Sequence, residues 1–399
     1  MPNSIQSYSS PGKVSKLKWF MQLFFNIMLI ELMLGGGGRF LALGMISVRM
    51  IIYSMAILFS CLFIFTKKQI DLRVFYCIAA FMTLSSIAVI MGFINEASIA
   101  DIFEDIKPLS FFMVLPFFSL CVTTELEVKN IVKLIKICSL ILAIGYILLI
   151  VFIALGLVNF ASFYAWVSPF GEVFFRSGPF FFYKGFIYIC IGFFFFIAEK
   201  GFWNKMALLI LFVALLLTLT RGFILMTLVV SILYFIFIYK NKAISLTLLL
   251  MLVVICLCAL PFYIDTIGDK ADSDKDRYLQ IEQVIDRTNI LNFTTGDGFG
   301  IGVDIRPVHM EISYMEIFSK QGILGLIFWF SILGYIILKY ISLYKYVRIM
   351  VTLTPFLLGT LFVYLQSATN PYMNNPIGLT MILLTLVVFQ NVKNIYNIN

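Results

Sequence analysis

The chain has 399 residues, 61% of them apolar, 17% aromatic and 13% charged, with a formal net charge of +8. A water-soluble fold would have to bury nearly all of that apolar surface, so the composition excludes an ordinary soluble enzyme and describes a polytopic membrane protein. The positive balance does not argue for a nucleic-acid partner, because the lysines and arginines sit in short hydrophilic gaps between apolar runs instead of gathering on one soluble face.

Met1 to Ser15 is polar and lacks the cationic, apolar and small-residue order of a cleaved signal, so the first apolar run is expected to stay as a membrane helix. Runs of helical length lie at 18–37, 44–66, 74–94, 109–122, 134–158, 181–198, 205–220, 222–239, 243–264, 314–338, 349–367 and 376–392. At about 20 residues per crossing they predict an all-α fold with about twelve transmembrane helices, the fourth being short. Strand-like alternation is absent, which leaves helices to satisfy backbone polar groups in hydrocarbon. Cys61, Cys77, Cys121, Cys138, Cys190, Cys256 and Cys258 all lie inside apolar runs, which argues against disulfides and a structural zinc.

With the N-terminus inside, seventeen of the 29 Lys and Arg residues fall on cytoplasmic segments, seven on outer segments and five in one long outer loop. That bias places both termini in the cytoplasm. Two outer segments exceed mere connectors. One, at 159–180, is aromatic and glycine-bearing; the other, at 265–313, holds ten acids against five bases. Chemistry is therefore expected on the extracytoplasmic face. Asn95 to Lys107 places Ile99, Ile102, Phe103 and Ile106 on one helical face, which predicts a helix lying along the outer interface.

An arginine at a membrane boundary must snorkel, pair or face water. Arg39 and Arg49 read as structural, with Glu31 in reach of Arg49. Arg221 follows Leu-Thr-Leu-Thr at the end of one helix and leaves almost no loop before the next. Arg176 stands in an otherwise uncharged apolar segment. Guanidinium forks suit phosphate oxygens, which makes both candidates for anion binding. His309, the single histidine, lies in the outer loop and can accept a proton near neutral pH. Asp304, Glu311 and Glu316 offer carboxylates for the same task, so a base is not assigned by sequence alone. Tyr278, Ile281, Val284 and Ile285 recur at helical spacing, predicting a short outer helix from Arg277 to Arg287. Gly296-Asp-Gly-Phe-Gly-Ile-Gly302 lacks the strand and following Lys of a nucleotide-binding loop and reads as backbone built for close approach. Gly35 to Gly38 read as a loose link.

In order along the chain these fragments resemble the O-antigen polymerase and O-antigen ligase superfamily. The resemblance lies in Arg176-Ser-Gly178 before a helix, Leu217-Thr-Leu-Thr-Arg-Gly222 at a helix end, an outer loop with Arg277, an amphipathic helix and Gly-x-Gly, then His309, Glu316 and Gly322-Ile-Leu-Gly-Leu326. It spans about residues 170–335 and departs at Met310, where many members carry Asn.

The resemblance implies a single integral membrane domain over 1–399 of the GT-C glycosyltransferase type, in the bacterial inner membrane. It implies an inverting, metal-independent transferase without a cofactor. The substrates would be undecaprenyl-diphosphate-linked oligosaccharide repeat units. A chain-length regulator would be a partner, along with membrane lipid. Arg176, Arg221 and Arg277 would bind the diphosphate, and His309 or a nearby carboxylate would take the proton of the attacking hydroxyl. Polymerase is the favoured activity, with ligation of glycan to lipid A core as its nearest alternative. A flippase for the same lipid would need charges within the spans and related halves, and neither is visible.

Overall fold

The computed structural model describes residues 16–40, 42–43, 46–67, 71–239, 247, 271–396 and 398. Among them, eight helices are long and apolar enough to cross a membrane. These are α1 (Lys16–Leu34), α2 (Val48–Lys67), α3 (Leu72–Ile94), α6 (Glu125–Ala154), α10 (Arg221–Leu233, continued by a π turn to Ile238), α13 (Ser313–Leu343), α14 (Val347–Gln366) and α15 (Pro376–Tyr396). The protein is thus an all-α polytopic membrane protein apart from two small hairpins, the first pairing Ala42–Leu43 (β1) with Ile46–Ser47 (β2).

The expected twelve runs divide differently. Run 109–122 forms a 3-10 segment, Ser110–Val114, and a seven-residue helix α5, Leu115–Cys121, in place of one continuous helix. Runs 181–198 and 205–220 become the shorter helices α8 (Ile187–Ile197) and α9 (Phe202–Leu217). Run 243–264, with Cys256 and Cys258, lies outside the described residues, Thr247 aside.

Burial explains which helices form the centre. Helix α8 is apolar on every side, is buried from Ile187 to Phe196 and packs against α6, α9 and α14. Helices α14 and α15 are 78% and 89% buried, whereas the other candidate spans are a third buried or less and turn wide apolar faces outward. Inside hydrocarbon the core's polar side chains must satisfy one another. Thr360 donates to Thr385 at 2.7 Å, and Asn391 donates to the carbonyl of Val122 at 3.0 Å.

The segment expected as outer loop and helix start is a hairpin instead. Val173–Ser177 (β3) pairs with Phe180–Tyr183 (β4) after a short helix α7, Phe160–Val167. The hairpin turns at Ser177 to Pro179, and its five phenylalanines pack as a half-buried ribbon where a helix was anticipated. The Gly35–Gly38 stretch is not loose either: the Gly37 N–H donates to Glu172 at 2.6 Å, and Tyr183 donates to Leu34 O at 2.6 Å. The expected Glu31–Arg49 pair forms, at 2.9 Å and nearly buried.

One end of the bundle collects the loops after α1, α3, α6 and α14. There Asn95 donates to Asp297 O, Phe299 N–H to Ala88 O and Ser313 N–H to Ser367 O. The opposite end holds Lys18 beside Glu127 and Arg73 donating to Gln390 O. The glycines of 296–302 do approach a helix closely, as their composition suggested. Gly298, at φ +95°, lies against the Gly92 backbone, where a side chain on either residue would collide. Where this loop leaves the short helix Ile290–Thr295, the Thr294 backbone faces Gly322, whose φ of +62° breaks α13.

Candidate functional site

Between α3 and the end of α13 lie α4 (Ile99–Leu109), α11 (Ala271–Arg287) and α12 (Ile290–Thr295). Helix α4 is the anticipated 95–107 helix, capped by Ser98 accepting from Asp101 N–H. Of its apolar face only Ile102 is deeply buried; Ile99 and Phe103 are exposed. Its inward face carries Asp105, a residue the hydropathy pattern had not singled out.

Asp105 anchors a cluster drawn from four segments. Its Oδ2 accepts from Gly300 N–H at 2.7 Å, and its Oδ1 accepts from Lys320 Nζ at 2.6 Å. Lys320 also donates to Glu316 Oε1 at 2.8 Å and to Val308 O at 2.5 Å. Asn374 donates to Glu316 Oε2 at 2.7 Å. Asp105, Glu316 and Lys320 are 3%, 6% and 2% exposed. Charges this deep persist only when paired and hydrogen-bonded.

His309 closes the cluster toward solvent. Its Nδ1 faces Asp105 Oδ1 at 3.3 Å and Glu316 Oε1 at 3.4 Å, while the side chain remains half exposed. The Asp105 carboxylate, followed by that of Glu316, raises its pKa to about 9 from the ordinary 6.5. Two carboxylates thus orient the ring by one nitrogen and leave Nε2 for another partner. Met310 is buried with Val284 and Val303 and pins this loop to α11.

The arginines fall in different surroundings. Arg176 lies on β3 with its guanidinium over the Phe182 ring at 5.1 Å, and its Nε is buried with no hydrogen-bond partner among the described residues. Among the described residues no carboxylate stands within ion-pair distance of it. Burial, and then the Arg277 charge, disfavour its cation, against the opposing pull of Tyr372; a guanidinium nonetheless stays charged. Arg221 opens α10, whose N-terminus has no side-chain cap, and Gly222 beside it packs against Gln366 and Thr369. Phe182 also meets Phe223 at 5.4 Å, which ties the hairpin to the first turn of α10.

Arg277 is already engaged, with Glu311 at 3.1 Å and Asp274 at 3.2 Å, and Glu311 also accepts from Arg306 at 2.6 Å. Asp304 is exposed and paired with Arg287. Of the anticipated carboxylates, then, only Glu316 reaches His309. The predicted face of α11 is also revised: Gln280 and Val284 are buried while Tyr278 and Ile285 are exposed, and Gln280 accepts from Glu311 N–H at 2.9 Å.

The loop 367–375 joins these parts and was missed. Its Asn374 holds Glu316, its Asn370 carbonyl accepts from Ser313, and the buried Tyr372 lies 5.9 Å from the Phe223 ring. The available signal was an uncharged polar run, Gln366-Ser-Ala-Thr-Asn-Pro-Tyr-Met-Asn-Asn375, between two almost wholly buried helices. Lys320 was equally legible, at four residues from Glu316 on one helix.

Asp105, His309 and Glu316 have ligand atoms within 4.8 Å of one another, a spacing that could hold a metal ion. An apolar cavity of about 340 Å³ adjoins α4, lined by Phe81, Met82, Ile90, Ile106, Met113 and Phe299.

No family model matches the chain. It is 27% identical to the O-antigen polymerase of Shigella flexneri over 385 residues, which are 94% of this chain and 96% of that one. A likeness of that extent takes in the helices outside the motif region as well as the motifs themselves, so the chain is similar at full length to an O-antigen polymerase.

Proposed function

We propose that the chain is a polymerase of a surface glycan such as O-antigen. It transfers the growing glycan from undecaprenyl diphosphate to the next lipid-linked repeat unit on the outer face of the inner membrane. The reading keeps about twelve crossings, a GT-C-type arrangement in one membrane domain, cytoplasmic termini and a chain-length regulator as partner. The observation that carries it is an end of the bundle that presents both a guanidinium with no carboxylate partner among the described residues and a carboxylate-held histidine, in a chain alike along its length to a polymerase.

The chemistry is a single displacement with inversion. An acceptor hydroxyl attacks the anomeric carbon, the bond from that carbon to the diphosphate oxygen breaks, and the diphosphate leaves with the electron pair. Arg176, with Arg221 at the uncapped start of α10, meets the charge that grows on it. Such contacts strengthen toward the transition state and so raise the rate itself. Arg277 adds positive potential from within its ion-pair network. The cavity beside α4 suits part of a polyprenyl tail. No metal or other cofactor enters the scheme.

His309 receives the hydroxyl proton at Nε2, and Asp105 and Glu316 stabilise the imidazolium that results. The same carboxylates hold most rings protonated at neutral pH, so the competent neutral fraction grows as pH rises toward about 9. The polymerisation rate should therefore climb between pH 7 and 9, and His309→Gln should flatten the profile. A rate that falls over this range would assign the ring as a proton donor instead.

Deletion in the native host, with gel analysis of surface glycan, tests the activity. Loss of the long ladder with one repeat unit still on the core is expected. Loss of every repeat, with lipid-linked polymer accumulating, would make the chain a ligase. Unpolymerised units stranded on the cytoplasmic face would make it a transporter.

A further inference from the structure

Two cations in the cluster address the same two oxygen atoms. Asp105 Oδ1 and Glu316 Oε1 each lie against Lys320 Nζ, at 2.6 and 2.8 Å, and against His309 Nδ1, at 3.3 and 3.4 Å. A pair of carboxylates facing one imidazole at this spacing is a donor set for a divalent ion. Here an ammonium sits among those oxygens. It is nearly inaccessible, its third hydrogen goes to Val308 O, and it arrives from the helix that supplies Glu316.

We infer that Lys320 is a resident cation in a place that would otherwise suit a metal ion, and that it is a positioning residue for His309. Two carboxylates with oxygens this close repel unless a positive charge lies between them. The ammonium holds Oδ1 and Oε1 together, so that both face Nδ1 and aim Nε2 at the open side. Being covalently tethered, it does so at any metal concentration. Asp105, some 200 positions before its partners, is locked to Gly300 and to Glu316 and Lys320 in one arrangement by the same charge. The role in catalysis rests on the function proposed above; the identity of the cation does not.

The consequence is a latent metal site. Lys320→Met removes the ammonium and leaves Asp105, Glu316 and His309 around its place. Purified full-length Lys320→Met in detergent should bind Mn²⁺ at about one ion per chain, read by electron paramagnetic resonance, and its unfolding temperature should rise with Mn²⁺. Wild type should do neither, and Lys320→Met/Asp105→Asn should lose both responses. In a polymerisation assay with lipid-linked repeat units, Lys320→Met should lose kcat with KM little changed and regain part of it with Mn²⁺. If Lys320→Met does not accumulate, Lys320→Gln serves in its place.

Mn²⁺ bound by wild type and lost in Glu316→Gln would overturn the proposal, as would variants that accumulate but show no Mn²⁺ response. Mn²⁺ binding by Lys320→Met in a chain that polymerises nothing would overturn the glycosyltransferase reading while leaving the resident cation standing.

Discussion

Arg176→Ala should abolish long-chain glycan, lowering the polymerisation rate by about 100- to 1000-fold, the usual effect of removing one charge-stabilising donor from a transition state. The protein should still accumulate in the membrane. The guanidinium has no carboxylate partner among the described residues, and its stacking on Phe182, partly desolvated, contributes about 1–2 kcal/mol. Against this stands the buried Nε without an acceptor, an arrangement that costs about 1–3 kcal/mol. Removing the side chain is therefore close to neutral for folding, and a group kept at a cost is best explained by a ligand that completes it. Arg176→Lys retains the charge without the fork and should recover only part of the activity. Arg221→Ala should show the same loss of polymer. Full glycan ladders from Arg176→Ala and Arg221→Ala, at normal protein levels, would remove the diphosphate clamp.

Asp105→Ala should be the most destabilising single change in the site, by about 3–5 kcal/mol, because it strips one of two carboxylates from a buried ammonium. It also leaves the Gly300 N–H without its acceptor and frees the glycine loop from α4. Asp304→Ala is the matched control. Its carboxylate is 77% exposed beside Arg287, and surface pairs of that kind contribute about 0–1 kcal/mol. Thermal unfolding of the two variants in detergent should separate them clearly. Equal unfolding temperatures would show that the cluster does not hold the loop to the bundle.

Much of the site was legible because its residues are chemically conspicuous against an apolar background. A lone histidine, arginines at helix ends and a glycine-rich loop stand out in any reading of such a chain, and Glu31 opposite Arg49 follows from two helices joined by a short link. What remained hidden was pairing at long range. Asp105 looked like one acid on the polar side of an interfacial helix, whereas its partners are Gly300, His309 and Lys320, some 200 positions away. Arg277 looked like a clamp equal to Arg176, and only the packed loop shows it paired with Glu311 while, among the described residues, no carboxylate pairs with Arg176.

The linear order of residues determined the membrane character, most helix positions and the kinds of side chain available for chemistry, since hydropathy and helical periodicity are local quantities. Tertiary structure decided which of those side chains meet. The free energy of a buried charge depends on what surrounds it in space, so the carboxylate that serves His309, and the cation that serves the carboxylate, exist as such only once α4, α13 and the 367–375 loop have packed together.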